Sequence, residues 1–69
     1  MKATIRLNNG DYIYIDNLQR IQQHESSYAN PATIENFEDF QLYETQYTFV
    51  GNLTLLVSAS EITYVYFEN

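Results

Sequence analysis

Few residues of this chain have the types and spacing that enzyme chemistry requires. It has one histidine, His24, no cysteine, and no motif of a phosphate-binding loop or a serine nucleophile. We interpret His24 as a solvated loop residue. Two carboxylate pairs remain, Asp11 with Asp16 and Glu35 with Asp39. Neither pair matches a calcium-binding loop, so the sequence predicts no catalytic residue, no metal site and no cofactor, and a protein that is not an enzyme.

The charge of the chain is unevenly distributed. Its formal net charge is -6, from three bases and nine acids. All the bases precede His24, and seven acids but no base follow it. This asymmetry indicates an acidic interaction surface, and it disfavours nucleic acid and anionic membranes, whose binding depends on Lys and Arg. We therefore expect a protein partner with a basic surface.

Size and composition predict one small folded domain over residues 1–69. Hydrophobic residues make up 45% of the chain and charged residues 17%, which is too apolar for a disordered protein. No stretch approaches the length of a membrane span and no export signal is recognisable, so the expected compartment is the cytoplasm. Without disulfides, stability must come from apolar packing, helped by self-association.

The first hairpin is predicted from two alternating runs on either side of an Asn-Asn-Gly sequence. A three-residue loop with Gly10 in the left-handed region sets Ile5 opposite Ile13 and collects the aliphatic side chains on one face. It leaves Tyr12 and Tyr14 on the other face. A two-residue turn would mix polar and aliphatic side chains, so we predict the longer loop.

The middle of the chain is predicted to carry one helix. Residues 16–24 fit either a helical turn or a strand, and we favour the strand. Residues 25–29 are predicted to form a loop. Asn30 followed by Pro31 is typical of a helix start, and the spacing predicts a short amphipathic helix over 31–42. Its exposed side would carry three acids: Glu35, Glu38 and Asp39.

A second hairpin is predicted around Gly51, in a type II′ turn. This register sets Phe49 opposite Thr54 and Tyr47 opposite Leu56. It leaves apolar side chains on both faces, which a barrel, a helix or another chain must cover. We therefore expect a homo-oligomer, most simply a dimer through an apolar sheet face.

The last part of the chain predicts a 3₁₀ turn over 58–61, with a capping-box sequence, and a strand over 62–67. This strand would place Ile62, Tyr64 and Tyr66 on one face. The fold prediction is thus mainly β, a β-rich α+β domain. It is a small SH3-like barrel or a curled antiparallel sheet of about five strands, with one short helix between two hairpin units.

Two resemblances follow from these patterns. The order of hairpin, loop, hairpin, 3₁₀ turn and final strand, carried mostly by residues 56–65, resembles small SH3-like barrels. The ends of the chain, 3–21 and 47–67, resemble small proteins carried by phages and prophages of Gram-positive bacteria. That likeness implies action in the host cytoplasm, and it carries no functional residue over to this chain.

The tyrosines are the most suggestive candidates for a binding site. They occur at two-residue spacing on predicted strands, so each pair shares a face, either to cover a small core or to contact a partner. The predicted partner-binding residues are Tyr12, Tyr14, Tyr64, Tyr66, Glu35, Glu38 and Asp39.

Three functions fit the sequence. The leading hypothesis is a non-catalytic protein-interaction module with an acidic, Tyr-rich surface. Its sharper form is a phage-type inhibitor of a basic nucleic-acid-binding protein, such as an anti-restriction or anti-CRISPR mimic of nucleic acid. The alternative is a structural, self-assembling phage component. The third is a single-strand nucleic-acid binder that stacks bases on exposed tyrosines.

Overall fold

The computed structural model describes residues 1–24 and 30–69, and these form two antiparallel sheets. The strands are β1 (Lys2–Leu7), β2 (Tyr12–Ile15), β3 (Arg20–His24), β4 (Ala32–Ile34), β5 (Gln46–Val50), β6 (Thr54–Ser58) and β7 (Ile62–Glu68). Single turns of 3₁₀ helix span Phe37–Asp39 and Ala59–Glu61. The three-stranded sheet has the order β2-β1-β7, and the four-stranded sheet has the order β4-β3-β5-β6. The predicted mainly β fold is confirmed.

Both sheets contribute to one hydrophobic core. Alternation along each strand turns apolar side chains inward. The buried residues are Ala3, Ile5, Ile15, Leu18, Ile21, Tyr47, Phe49, Val57 and Ile62. The hydroxyl of buried Tyr47 accepts from the Tyr43 amide at 2.8 Å and donates to the Gln41 carbonyl at 3.2 Å, so this polar group is satisfied.

The first hairpin has the predicted register. Ile5 lies opposite Ile13, and Ala3 lies opposite Ile15. Gly10 has a φ of 98° and donates its amide to the Leu7 carbonyl at 3.0 Å, which closes the three-residue loop. The preference for a single aliphatic face was sufficient to predict this element.

The expected SH3-like barrel is not found, because the described strands form two sheets without a closed barrel. The extended conformation is interrupted between β2 and β3 at Asn17, whose φ of 54° lies in the left-handed region. The Asp16 amide donates to the Asn52 side chain at 2.9 Å, which holds this break against the second hairpin. The strand predicted within residues 16–24 is therefore present as β3, whereas residues 16–19 are not part of a strand.

The helix predicted over 31–42 is wrong. Part of that segment is β4, in which Ile34 lies opposite Ile21 of β3. The rest contains one 3₁₀ turn, where the Asn36 side chain accepts from the Glu38 amide at 3.2 Å. Pairing with β3 satisfies backbone groups that a short helix would satisfy locally, so tertiary contacts outweigh a weak helical pattern. The loop predicted at 25–29 lies outside the described residues. In the described part of the chain, no helix has the length and hydrophobicity needed to cross a membrane.

The second hairpin differs from its prediction by one residue. Phe49 lies opposite Leu55 and Tyr47 lies opposite Val57, across a three-residue loop. This register collects all four side chains on the core side, whereas the predicted one would have put Leu56 there. Leu56 is instead 62% exposed.

Gly51 is needed in the second hairpin for space rather than for a left-handed conformation. A Cβ at this position would lie 2.6 Å from Ile15 Cγ2 and 2.7 Å from the Asp16 carbonyl oxygen. The Asn52 amide also donates to that carbonyl, at 2.9 Å. The φ of Gly51 is not positive, so the predicted type II′ turn, which requires a glycine with positive φ, is wrong.

The predicted 3₁₀ turn and last strand are confirmed, but two details are wrong. Ser58 makes no side-chain cap, so the capping box is absent. The register between β1 and β7 shifts at Arg6 and Leu7, which leaves Thr63 as an extra residue. This bulge turns Ile62 into the core and Tyr64 outward, whereas strict alternation had placed the two on one face.

Candidate functional site

The tyrosines of β2 and β7 lie on the same outer face of the three-stranded sheet. Two residues of the central strand are each flanked by one tyrosine from β2 and one from β7: Arg6 by Tyr12 and Tyr64, and Thr4 by Tyr14 and Tyr66. We call this surface the tyrosine face: Lys2, Thr4, Arg6, Tyr12, Tyr14, Tyr64 and Tyr66. The structure thus brings all four predicted tyrosines together.

The pleat of the sheet explains why these side chains point outward. Ala3 and Ile5 are buried, so their neighbours on β1 face the opposite side. The bulge at Thr63 shifts the alternation of β7, so that Tyr64 and Tyr66 also point to this outer face. Alternation in the sequence predicted that each tyrosine pair shares a face. It did not predict a common face, because that depends on β1 pairing with both β2 and β7.

The rings of the tyrosine face are exposed and ordered by their neighbours. The four tyrosines are between 45% and 64% exposed. Tyr12 and Tyr14 stack with ring centroids 6.2 Å apart and planes 10° from parallel. The Arg6 guanidinium carbon lies 4.5 Å from the centroid of the Tyr12 ring, which makes a cation–π contact. These rings offer a rigid apolar surface with polar hydroxyl groups, a combination typical of protein interfaces.

The tyrosines from the two outer strands also influence each other. A hydrogen bond with Tyr12 is the main cause that raises the pKa of the Tyr64 hydroxyl above its ordinary value. The positive charge of Arg6 acts in the opposite direction. The shift favours the protonated form of Tyr64, which can donate a hydrogen bond.

The tyrosine face carries both signs of charge. Lys2 and Arg6, two of the three basic residues of the chain, lie on its central strand. Lys2 is opposite Glu68 on β7. A shallow depression of about 250 Å³ at this end of the face is lined in part by Lys2, Tyr14, Asp16 and Glu68. Lys2 and Glu68 were missed in the sequence, although alternation with buried Ala3 could have placed Lys2 on this face.

The three predicted acids lie on a separate element. Glu35, Glu38 and Asp39 are all exposed. Glu38 and Asp39 belong to a 3₁₀ turn and Glu35 precedes it, so the three acids do not form one side of a helix. The Asp39 carboxylate accepts from the Asn36 side chain at 3.1 Å. The turn is attached to the core by Phe37, whose ring stacks on Phe67 with centroids 5.4 Å apart. The acids therefore lie on or beside a turn that packs against the core, and they do not belong to the strands of the tyrosine face.

The residues considered for chemistry do not converge. His24 is half-buried at the end of β3, with Nε2 2.8 Å from Thr48 Oγ1, so its interpretation as a solvated loop residue is wrong. Asp11 and Asp16 flank β2 at opposite ends, which puts them roughly 17 Å apart along an extended chain. Within residues 1–24 and 30–69, no three of His, Asp and Glu are grouped as metal ligands would be.

A larger open groove of about 750 Å³ lies between the segment before β5 and the second 3₁₀ turn. Its lining includes Tyr43, Thr45, Ser58 and Ile62, with Glu44 as a charged member. The Tyr43 hydroxyl donates to the Gln41 side chain at 2.8 Å, so it is already engaged within the protein. The groove has no pair of groups arranged for acid–base chemistry.

Comparison with protein-family models, with curated proteins and with solved structures finds no match to this chain. The resemblances to phage proteins and to SH3-like domains therefore stay predictions, and the candidate site rests on its own geometry.

Proposed function

We propose that this protein is a non-catalytic protein-interaction module and that its partner binds the tyrosine face. One observation carries the proposal: four exposed tyrosines lie on one face of one sheet, around Arg6. Tyrosine and arginine are enriched among the residues that dominate protein–protein binding energy. Burial of these rings against a partner would remove a large apolar area from water, which is the main driving force for association.

The proposed partner has a basic surface. The net charge of -6 creates a long-range field that attracts cations. Asp16 and Glu68 lie at one end of the tyrosine face, where they can contact basic side chains at its rim. The sharper form of the proposal is a phage-type inhibitor that occupies the nucleic-acid site of a basic protein in the cytoplasm.

A second candidate is a single-strand nucleic-acid binder. The observation in its favour is that Lys2 and Arg6 lie among the exposed rings, so phosphates and bases would each find a suitable group. The acids count against it, because the field of the whole chain repels a polyanion. It therefore ranks below the protein partner.

The proposal is tested by comparing what differently altered proteins capture. Tyr12, Tyr14, Tyr64 and Tyr66 are all changed to Thr, a residue with high β propensity. The matched control is Leu56→Thr, which removes an exposed apolar side chain from the other sheet. We expect the parent and the control to retain the same protein from a lysate of the native cells, and the four-threonine variant to lose it. Equal retention by all three would contradict the proposal.

A single-stranded oligonucleotide provides the contrasting ligand. The protein-interaction proposal expects no measurable binding at physiological salt. The second candidate expects binding that weakens steeply as salt rises and disappears in the four-threonine variant. Intrinsic tyrosine fluorescence can follow the titration, because the chain has seven tyrosines and no tryptophan.

The exposed acids are tested separately from the tyrosines. Glu35→Gln, Glu38→Gln and Asp39→Asn together remove three charges while keeping side-chain size. If these acids steer a basic partner, association slows at low salt and the difference from the parent shrinks as salt screens the field. Unchanged association at low salt would restrict the proposed site to the tyrosine face.

A further inference from the structure

Strand β7 has an edge with which no other described strand pairs. It lies at the border of the three-stranded sheet and pairs with β1 on one side. Apart from the Ile62 amide, which donates to the Ala59 carbonyl of the preceding 3₁₀ turn, no backbone hydrogen bond among the described residues joins β7 to a segment other than β1. Its other side therefore presents a row of amide and carbonyl groups that an additional strand can pair with.

This edge has few of the features that normally protect an edge strand, although Phe37 and Phe40 pack on Phe67 near its end. β7 has seven residues and is the longest described strand, whereas the other strands at sheet borders, β2, β4 and β6, have four, three and five. Residues 62–67 contain no charged residue, proline or glycine, and they have high β propensity. The bulge at Thr63 disturbs only the beginning of the strand.

The sequence of β7 suits pairing with itself. Tyr64 and Tyr66 are placed symmetrically about Val65. Under a two-fold axis through Val65, antiparallel strands bring Tyr64 of one copy opposite Tyr66 of the other, twice. Aromatic pairs at such positions stabilise a sheet, and a two-fold contact must be self-complementary in this way.

We propose that two copies of this chain pair antiparallel through β7 and form a continuous six-stranded sheet. Because the axis is perpendicular to the sheet, the tyrosine faces of both copies lie on the same side and join into one surface. This inference replaces the apolar face of the second hairpin as the expected dimer contact, since Leu55 and Val57 of that hairpin face the core. It is independent of the proposed function.

The small size of the contact indicates a weak dimer. Seven residues at about 3.3 Å each give an edge about 23 Å long, in a molecule of 31 × 25 × 21 Å. With a height of about 20 Å, the contact buries about 900 Å² from both copies together, which is below the roughly 1,000 Å² of a stable specific interface and in the range of weak, transient contacts. The dimer therefore forms at high micromolar concentration. Because each copy carries -6, added salt strengthens it by screening the repulsion.

Sedimentation and hydrogen exchange test the proposal on the unaltered protein. Sedimentation should show a species of twice 8.1 kDa that increases with concentration and with salt. Alternate amides of β7, those not bonded to β1, should become protected in parallel, while the amides of β2 and β6 stay unchanged. A monomer at all concentrations, or protection confined to another strand, would overturn the proposal.

Two matched variants locate the contact. Tyr66→Asp and Tyr14→Asp each remove an exposed tyrosine beside Thr4 and add one negative charge, but only the first lies on β7. We expect Tyr66→Asp to raise the dimer dissociation constant by about tenfold or more, and Tyr14→Asp to change it by less than about twofold. Equal weakening would assign the contact to the tyrosine face, and no weakening would exclude the β7 edge. Thermal unfolding verifies that both variants are folded, and the exchange pattern of the parent decides independently.

Discussion

The outer faces of the two sheets differ more than any other regions of the molecule. Inward, both sheets present aliphatic and aromatic side chains to the same core. Outward, the three-stranded sheet shows four tyrosines, whereas the four-stranded sheet shows mostly small or polar side chains. A cross-strand row of the latter is formed by Thr33, Gln22, Thr48 and Leu56.

This contrast indicates which residues the fold needs. The four-stranded sheet carries threonine and glutamine on its outer face, so an outer face of this protein does not require aromatic rings. The rings of the tyrosine face are therefore not explained by packing, although tyrosine in a strand favours the sheet. We propose that contact with a partner explains them.

The largest effect is expected from the inner face. Phe49 is fully buried and its ring contacts Phe40 with centroids 6.2 Å apart. Phe49→Ala should lower the free energy of unfolding by about 3–5 kcal/mol, which leaves a domain of this size mostly unfolded. Leu56→Ala, at an exposed position on the neighbouring strand, should change it by less than about 0.5 kcal/mol. Urea unfolding measures both, and similar losses would show that the two faces have been assigned wrongly.

The next effect concerns the junction between the sheets. Gly51→Ala forces a Cβ against Ile15 and a backbone carbonyl, and should cost about 2–3 kcal/mol. Gly10→Ala has open space but a φ of 98°, and should cost about 1 kcal/mol. Thermal unfolding of the two variants compares the cost of a steric clash at Gly51 with the cost of backbone strain at Gly10. A smaller loss for Gly51→Ala would mean that the sheets are not held together at this loop.

The sequence predicted those elements in which one local rule decides. The first hairpin was correct because only one register unites Ile5 with Ile13. The same rule, applied to the second hairpin, joins Phe49 with Leu55. A type II′ turn at Gly51 predicts the other register, which is wrong. Here Gly51 is explained by its closeness to Ile15, which is distant in sequence and therefore not visible in it.

The helix and the tyrosine face show the two limits of such prediction. Residues 31–42 have helical spacing, yet pairing of β4 with β3 determines their structure, and no local signal reports that pairing. The four tyrosines were identified from the sequence as candidates. Their common face depends on the order of β2, β1 and β7, and on the bulge at Thr63, which are tertiary features.

The smallest effect is a shift in ionisation on the tyrosine face. The hydrogen bond with Tyr12 raises the pKa of Tyr64, so protonated Tyr64 stabilises the folded state. This small contribution is complete below the ordinary tyrosine pKa and is lost as pH rises through the raised one. In Tyr12→Phe, the pKa of Tyr64 should fall towards its ordinary value. NMR titration of the Tyr64 ring measures this pKa. An unchanged pKa in Tyr12→Phe would show that Tyr12 does not cause the shift.

Under our proposal, the four tyrosines serve binding rather than folding. The most direct test of this claim measures the free energy of unfolding and the affinity for the captured partner in the four-threonine variant. We expect a loss of stability of only about 1–2 kcal/mol, since exposed side chains and one cation–π contact are removed. The affinity should fall by more than about 100-fold, because buried aromatic anchors dominate interfaces. A folded variant that binds the partner as tightly as the parent would contradict the account.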